Sequence, residues 1–399
     1  MSLAFTLRHG VLAALVANSV RPLRGGSATF AAGWPVSELA PQLLTAALLD
    51  TAQAAVRRRA GAPGLALASA AAAGLAWNIV QAERSRGVLE RALAETLGEP
   101  VSLGRSDPRR LVRPFNFKDV AVRRIKDVSY GPAGKRNRLD VYVPAGDVPT
   151  GAPVLVQIHG GAWTIGNKEE QGRFLMNAMA ARGWVCVAIN YRLAPRDRWP
   201  AQIDDVHAAL AWVKEHISEY GGDASHLVLT GGSAGGHLSS LAALTSAERG
   251  VPVAGCVPFY GVYDMAGEDE DPYTVGMRDR FLALRVFGET AVADDYKDAS
   301  PIHRISPEAP DFFLLHGRND SLVSVRQARA FAAALRKVSQ RTVTFAELPG
   351  AQHAFDVFGS IRAHHAVDAV VRWLEWHRDI RVTAPRDPGN RPATSGNLR

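Results

Sequence analysis

The sequence predicts an α/β fold in which a mostly parallel sheet of eight strands is covered by helices on both faces. Two observations predict it. From about residue 114 onward, short apolar strands alternate with stretches of helical periodicity. Most of these strands are apolar along nearly their whole length, which is typical of parallel strands buried on both faces. Before residue 114, apolar residues recur at helical spacing and predict helices only.

The predicted strands follow one another along the chain. The first two, 127–130 and 138–142, are separated by a Pro-Ala-Gly-Lys turn and are predicted to form an antiparallel pair. Six further strands are predicted, at 154–158, 185–189, 227–229, 253–259, 312–315 and 342–347. The main helices of this part of the chain are predicted at 169–181, 203–216, 235–244 and 361–377.

The 399 residues divide into three predicted parts. Residues 1–113 are expected to form a helical region that acts as a cap or contacts a membrane. Residues 114–381 are expected to form the α/β domain, with a small cap insertion of short helices at about 264–310, where the strand–helix alternation lapses. The tail, 382–399, is mostly Pro, Gly, Asn and Arg without an apolar period, so we expect disorder there.

The uncharged stretch from Ala62 to Val80 is long enough to span a bilayer. It is also rich in Ala and Gly, which contribute little to membrane insertion, and it contains Asn78. Two interpretations therefore stay open: a membrane helix or surface anchor, and an Ala-rich helix packed on the enzyme or on a partner chain. Localisation is open in the same way, between cytoplasmic and membrane-associated through 62–80. A homodimer is also open.

Charge and cysteine content exclude other classes. The net charge is +7, but Lys and Arg are scattered, and the only triplet is Arg57–Arg59. Because no nucleic-acid-binding motif accompanies the positive charge, we expect no nucleic-acid partner. The two cysteines, Cys186 and Cys256, lie in apolar runs and are expected to be buried thiols rather than a disulfide. Without a C-x-x-C motif, no metal site is predicted.

The sharpest motif is the run from Gly231 to Gly236, which contains Ser233 and Ala234. It follows a predicted strand and precedes a predicted helix, which is the setting of a nucleophile elbow. A serine on such a sharp turn needs small neighbours, and the helix N-terminus favours negative charge that develops beside it. An ordinary Gly-rich turn is the alternative, whereas a phosphate-binding loop would need a Lys-Ser or Lys-Thr pair.

A second motif, His159-Gly160-Gly161-Ala162-Trp163, ends the predicted strand 154–158. Acyl transfer needs backbone N–H donors aimed at the developing oxyanion, one from the residue after the nucleophile and others from a loop after an earlier strand. Small residues let those donors approach a substrate closely. His159 and Gly160 are expected to orient the loop. Trp163 is expected either to wall a substrate pocket or to be a core residue beneath the cap.

The acid and the base are expected to follow the nucleophile in that order. Asp320 comes just after the strand 312–315 and His353 just after 342–347, so both lie at the sheet edge where Ser233 is expected. Asp311 precedes its strand and would lie at the opposite edge. In this arrangement the histidine takes the serine proton and the aspartate orients the histidine. The other histidines are predicted to be structural, including His237, His316, His364 and His365.

With these pieces in order, the chain resembles the hormone-sensitive-lipase-like esterases of the α/β-hydrolase superfamily, from about residue 127 to 376. The resemblance implies the α/β-hydrolase fold and a carboxylesterase that acts on short- and medium-chain acyl esters without a cofactor. It also implies oxyanion donors at Gly161, Ala162 and Ala234. The motifs that carry it are His159-Gly160-Gly161, Tyr191-Arg192-Leu193-Ala194-Pro195, Gly231 to Gly236, Asp320 with Leu322, and His353.

Two positions depart from the family pattern. Gly232 stands where the family often has an acidic residue, and Ala162 replaces the third glycine of the oxyanion loop. In these respects the chain is also similar to a related group that includes prenylcysteine methylesterases, kynurenine formamidases and feruloyl-esterase-like enzymes. We therefore expect a serine hydrolase that takes a small-molecule ester through an acyl-enzyme. The alternatives are an amidase or deacetylase on the same triad, and a non-catalytic ligand-binding protein.

Overall fold

The structure is a computed structural model that describes residues 3–23, 26–106, 111–115, 119–147, 150–268 and 271–383. Two predictions fall on other residues. Most of the predicted tail, from residue 384 onward, lies outside the described residues. So do Asp269 and Glu270, which belong to the acidic run within the predicted cap insertion.

The described residues contain one sheet of eight strands. The strands are Val122–Ser129 (β1), Arg138–Pro144 (β2), Ala152–Ile158 (β3), Val185–Ile189 (β4), Gly222–Gly232 (β5), Gly255–Phe259 (β6), Asp311–Gly317 (β7) and Val343–Leu348 (β8). Their order in the sheet is β1-β2-β4-β3-β5-β6-β7-β8. β1 pairs antiparallel with β2, β2 pairs antiparallel with β4, and every other neighbouring pair is parallel. The predicted mostly parallel sheet of eight strands is therefore confirmed.

Four helices precede the sheet in the chain: Leu3–Val20 (α1), Ser27–Glu38 (α2), Ala40–Val56 (α3) and Ala62–Leu97 (α4). α1 lies so close to α4 that a Cβ on Gly74 would be 2.2 Å from Val16 Cγ1. The buried Asn78 donates to Ser19 Oγ at 2.8 Å, which satisfies a polar group inside this pair. The stretch 62–80 is thus the first half of α4, and its contacts with α1 fit the packed-helix interpretation.

The remaining helices cover both faces of the sheet. Because the sheet lies between them, all five residues of β4 and all five of β6 are buried. Both cysteines lie on these two strands as buried free thiols, as predicted. The helices are Arg173–Ala180 (α5), Ala201–His216 (α6), Ala234–Thr245 (α7), Pro272–Met277 (α8), Ala293–Asp298 (α9), Val325–Val338 (α10) and Ile361–Thr383 (α11). A π-helix spans Arg278–Phe287, and 3-10 turns span Gly134–Asn137, Ile217–Tyr220, Ala247–Arg249 and Pro301–Arg304.

The second half of α4 packs against the edge strand β8 and the last helix, α11. The Thr96 and Thr344 hydroxyls are 2.6 Å apart, and His365 Nε2 is 3.2 Å from a Glu83 oxygen. A helix in this position shields a sheet edge that would otherwise expose unpaired backbone groups. The N-terminal region is therefore packed into the same body as the sheet.

The segment 264–310 holds α8, the π-helix, α9 and a 3-10 turn. It lies against the loops at the carboxyl ends of the strands. The Tyr273 hydroxyl donates to Ser321 O at 2.7 Å, and Trp199 N–H donates to Val286 O at 3.0 Å.

Candidate active site

Ser233 stands between the end of β5 and the start of α7. Its backbone has φ 58° and ψ −121°, a region that residues with a side chain rarely adopt. The flanking glycines make this turn sterically feasible, because a Cβ on Gly231 or Gly235 would be 2.5 or 2.0 Å from Ile158 O. The sharp turn projects the serine beyond the carboxyl end of the sheet, as the nucleophile-elbow motif predicts.

Asp320 and His353 meet beyond the ends of β7 and β8. The His353 Nδ1–H donates to Asp320 Oδ2 at 2.6 Å. The other carboxylate oxygen accepts the backbone N–H groups of Leu322 and Val323, each at 2.8 Å. These bonds fix the carboxylate and, through it, the plane and tautomer of the imidazole.

The electrostatics keep Asp320 ionised. Burial by itself would raise the pKa of this carboxyl, but the charge on His353 and hydrogen bonds from His316 and His353 hold the pKa well below its usual range. With Nδ1–H committed to Asp320, Nε2 is the free basic nitrogen of His353. A histidine in this state can accept a proton and have the resulting imidazolium stabilised.

Tyr260 lies beside His353 and explains one departure from the family pattern. Its ring centroid is 4.6 Å from that of His353, and its hydroxyl donates to Asp356. A Cβ on Gly232 would be 2.6 Å from the Tyr260 hydroxyl oxygen, so only glycine fits before Ser233 without displacing Tyr260. Burial raises the pKa of Asp356. Sequence reasoning missed this pair, because no local pattern connects residues 260 and 356.

The predicted oxyanion loop reaches the nucleophile elbow. Gly161 has φ 116° and Ala162 has φ 50°, so the chain turns sharply as it leaves β3. A Cβ on Gly160 would be 2.6 Å from Gly232 O, which shows how closely the loop lies against the elbow. Since β3 and β5 are neighbours in the sheet, the backbones of Gly161, Ala162 and Ala234 come to the same end of it.

His159 is positioned to hold this loop. Its ring stacks on Tyr191 with centroids 4.2 Å apart, and the Tyr191 hydroxyl donates to His159 O at 2.9 Å. Burial lowers the pKa of His159 to about 4, so the ring is neutral at pH 7. Nδ1 lies 2.7 Å from Gly160 O, and a proton on Nδ1 donates to that carbonyl. The placement supports the loop-orienting interpretation of His159 and Gly160.

Trp163 occupies the core. Its side chain is 2 % exposed, and its indole N–H donates to His237 Nδ1 at 3.1 Å. The Nε2–H of His237 in turn donates to Ala299 O at 2.7 Å. Of the two alternatives, this buried position matches the core tryptophan.

The N-terminal helix α2 reaches the histidine loop, which no sequence motif indicates. The Phe30 ring stands edge-on to His353 with centroids 5.9 Å apart. The Trp34 indole N–H donates to Ala354 O at 2.8 Å, and its ring stacks on Phe358 at 4.5 Å. The only available signal is the presence of two aromatic residues, one turn apart, in a helix otherwise rich in small residues.

Metal-binding geometry is a separate question. Among the residues that the structure describes, no group of three or more His, Cys, Asp or Glu side chains is arranged to hold a metal ion. The polar side chains at this end of the sheet bond to one another: His353 and His316 to Asp320, and Tyr260 to Asp356.

This fold and this arrangement of side chains define an α/β-hydrolase. Residues 139–335 match the model of the BD-FAE family. Residues 139–335 therefore form a BD-FAE domain of the α/β-hydrolase type, and the resemblance to the hormone-sensitive-lipase-like group is confirmed for this part of the chain.

Curated relatives from Mycobacterium tuberculosis match a large part of the chain. The probable carboxylic ester hydrolase LipM is 50% identical over 278 residues, which cover 67% of this chain and 63% of LipM. Esterase LipQ is 44% identical over 263 residues, covering 62% of this chain and 61% of LipQ. The chain thus spans about three fifths of the length of these relatives.

Solved structures show the same fold. An esterase B from Lactobacillus rhamnosis is 23% identical, with a TM-score of 0.56 over 69% of this chain and 94% of that one. A bacterial heroin esterase is also 23% identical, with a TM-score of 0.55 over 66% of this chain and 86% of that one. At such identity the likeness concerns the fold alone.

Proposed function

We propose that this protein is a serine carboxylesterase that hydrolyses short- to medium-chain acyl esters through an acyl-enzyme. The observation that carries the proposal is the 2.6 Å hydrogen bond from His353 Nδ1 to the buried Asp320, at the sheet edge where Ser233 stands on its strained turn. The names of LipM, a probable carboxylic ester hydrolase, and of LipQ, an esterase, support it.

In the first half-reaction, Ser233 Oγ attacks the ester carbonyl carbon while His353 Nε2 takes the hydroxyl proton. The carbonyl oxygen becomes an oxyanion, which the backbone N–H groups of Gly161, Ala162 and Ala234 stabilise. The C–O bond to the alcohol then breaks, and His353 returns the proton to the departing alkoxide. The products are an alcohol and an acylated Ser233.

In the second half-reaction, a water attacks the acyl-enzyme carbonyl and His353 takes one of its protons. The same N–H groups hold the second oxyanion. When the bond to Ser233 breaks, the proton returns to the serine oxygen and the carboxylic acid leaves. Throughout, the ionised Asp320 stabilises the imidazolium that forms in each half, and every step uses groups of this chain and water.

The test is hydrolysis of a p-nitrophenyl ester series from acetate to palmitate. Ser233→Ala is compared with Ser240→Ala, a control on the same helix whose hydroxyl donates to Gly236 O at 2.7 Å. Activity that falls with chain length, is lost in Ser233→Ala and survives in Ser240→Ala supports the proposal. A maximum at palmitate, faster turnover of p-nitroanilides than of esters, or ester hydrolysis that survives Ser233→Ala would each overturn it.

We further propose that the segment 264–310 caps the site. Its helices lie against the loop that carries the acid, because the Tyr273 hydroxyl donates to the backbone of Ser321, the residue after Asp320. Val286 of the π-helix is buried, and its carbonyl accepts the N–H of Trp199 at 3.0 Å. Tyr273→Phe should therefore loosen the cap and raise KM for the longest ester turned over, while an unchanged KM across the series would contradict the capping role.

We also propose that the N-terminal region contacts an anionic membrane surface. By length and composition, α1 and α4 are the two described helices that could cross a membrane, yet only 22% and 33% of their most apolar windows are buried. On α1, Leu3, Leu7 and Val11 are 73%, 58% and 62% exposed, and their four-residue spacing places them on one helix face. The exposed Arg57–Arg59 between α3 and α4 would pair with anionic lipid.

Vesicle flotation tests this contact. The full chain should float with vesicles of phosphatidylcholine and phosphatidylglycerol, and Leu7→Glu with Val11→Glu should abolish flotation. Val292→Glu is the control, since Val292 is exposed in the segment 264–310. If the protein sediments as a dimer without lipid and the Leu7→Glu, Val11→Glu variant becomes a monomer, the apolar face is an interface between two copies and the membrane proposal is wrong.

A further inference from the structure

The loop that carries His353 has a strained residue directly after the histidine. Ala354 has φ 58°, in the left-handed region that favours glycine. A non-glycine residue stays there only when its surroundings hold it. The Ala354 carbonyl accepts the indole N–H of Trp34 at 2.8 Å, across 320 residues of chain. This hydrogen bond ties the strained peptide to another element of the fold, and the same carbonyl accepts the Val357 N–H at 3.3 Å within the loop.

Aromatic rings from α2 support the same loop. Phe30 stacks on Trp34 with centroids 5.1 Å apart, and Trp34 stacks on Phe358 at 4.5 Å. Phe30 also stands edge-on to the imidazole of His353, while Tyr260 contacts that imidazole at 4.6 Å. The imidazole of His353 therefore contacts two aromatic rings, and one of them, Phe30, belongs to the N-terminal region.

The carboxyl end of α2 is anchored to the far end of the loop. Glu38 forms an ion pair with Arg362, and both side chains are fully buried. Ser360 Oγ donates to the other carboxylate oxygen of Glu38 at 2.8 Å. Because α2 is held at residues 360 and 362, Trp34 has a fixed position from which to bind residue 354.

We propose that Trp34 is a positioning residue for His353. Its N–H holds the Ala354 carbonyl in the left-handed turn, and the turn sets the direction of the imidazole toward Ser233. The N-terminal helix α2 is thereby part of the catalytic machinery. This inference rests on the proposed esterase function, but the position of the imidazole can also be measured without turnover.

Trp34→Phe tests the proposal, because it keeps an aromatic ring against Phe30 and Phe358 and removes the N–H donor. We expect kcat for p-nitrophenyl butyrate to fall about 10- to 100-fold with KM within about twofold, as for a catalytic group displaced by a fraction of an ångström. Adding Ala354→Gly should restore much of the lost kcat, since glycine adopts φ 58° without strain. Trp212→Phe, on α6, is the control for loss of an indole elsewhere.

The second readout is the proton NMR signal of the His353 Nδ1–H, which the bond to Asp320 shifts downfield. This signal should move or broaden in Trp34→Phe and recover in the double variant. Wild-type kcat and an unchanged signal in Trp34→Phe would overturn the proposal, as would a loss of kcat that Ala354→Gly leaves uncorrected in a folded protein. If the wild-type chain turns over no ester, the esterase function is wrong, and the NMR signal alone decides the role of Trp34.

Discussion

The Nε2 atom of His316 lies 3.2 Å from Oδ2 of Asp320. That oxygen also receives the Nδ1–H of His353, so two imidazoles share one carboxylate oxygen. His316 Nε2 is also 3.0 Å from Val323 O, and a proton on Nε2 can serve both acceptors. With the two backbone amides on Oδ1, the acid is saturated with donors. His316, predicted to be structural at a strand end, is thus a partner of the acid.

The role of Asp320 predicts the effect of removing its charge. Asp320→Asn should lower kcat about 10,000-fold with the fold intact, because the amide can present its N–H to Nδ1 and select the wrong tautomer. Asp311→Asn is the matched control at the opposite sheet edge, where Asp311 accepts the Thr342 N–H at 2.9 Å. Kinetics beside circular dichroism check this. A larger loss of kcat in Asp311→Asn would contradict the assignment of the acid.

The lowered pKa of Asp320 predicts how stability changes in acid. A carboxyl whose pKa is lower in the folded than in the unfolded state stabilises the fold above its unfolded pKa and loses this contribution as pH falls. Urea unfolding at pH 5, 4 and 3 should therefore show a steeper decline for the wild type than for Asp320→Asn. If the free energy of unfolding falls equally with pH in the two proteins, the Asp320 carboxylate is no more stable in the folded than in the unfolded state.

The lowered pKa of His237 predicts a second loss of stability, at higher pH than the loss that Asp320 causes. Burial lowers its pKa to about 4 from an ordinary value of 6.5, so between these values the unfolded chain binds more protons than the folded one. Stability should fall as pH drops through that window, since a proton on Nδ1 would oppose the Trp163 N–H. Urea unfolding at pH 7.5, 6 and 5 measures the slope. His237→Gln should reduce it, and an unchanged slope would assign the decline to other groups.

The contact between Gly232 and Tyr260 predicts a steric effect beside the nucleophile. Gly232→Ala should lower both the melting temperature and kcat, because its methyl group would be 2.6 Å from the Tyr260 hydroxyl oxygen. Gly104→Ala is the control, since a Cβ there meets nothing within 4 Å. Full wild-type behaviour of Gly232→Ala would show that Tyr260 can move aside without cost.

The buried Glu38–Arg362 pair predicts a large loss of stability when one partner is removed. Arg362→Met should cost about 3–5 kcal/mol of unfolding free energy, because it leaves a buried carboxylate without its counter-charge. Arg329→Met is the control, since Arg329 pairs with Glu347 while half exposed and should cost less than about 1 kcal/mol. An equal loss of unfolding free energy in Arg362→Met and Arg329→Met would contradict the larger effect expected for the buried pair. Combining Glu38→Leu with Arg362→Met should recover stability, because it removes the buried charge as well.

The features that sequence reasoning predicted are those set by short stretches of chain. Ser233, Asp320 and His353 each follow a strand within a few residues, so strand periodicity locates them and the parallel sheet brings them to one edge. Trp163 shows what strand periodicity leaves open. Its place after the oxyanion loop is compatible with a pocket wall and with a core residue, and its burial and its bond to His237 match the core residue.

The features that sequence reasoning missed depend on contacts between distant segments. α4 runs 36 residues, whereas only the uncharged stretch 62–80 stood out, because Glu83, Arg84 and Arg86 interrupt the apolar pattern without ending the helix. The contact of α2 with the histidine loop joins residues more than 300 positions apart. No local periodicity records such a partner, and only the packed structure identifies it.

The bond between Trp34 and Ala354 has a consequence for synthesis on the ribosome. α2 is translated more than 300 residues before the segment that it supports. Until β8 and α11 have been translated, α2 lacks its partner and its aromatic residues stay uncovered, as do the apolar faces that later close over the sheet edge. A nascent chain that ends before β8 therefore offers chaperones and proteases the uncovered aromatic residues of α2 as a target.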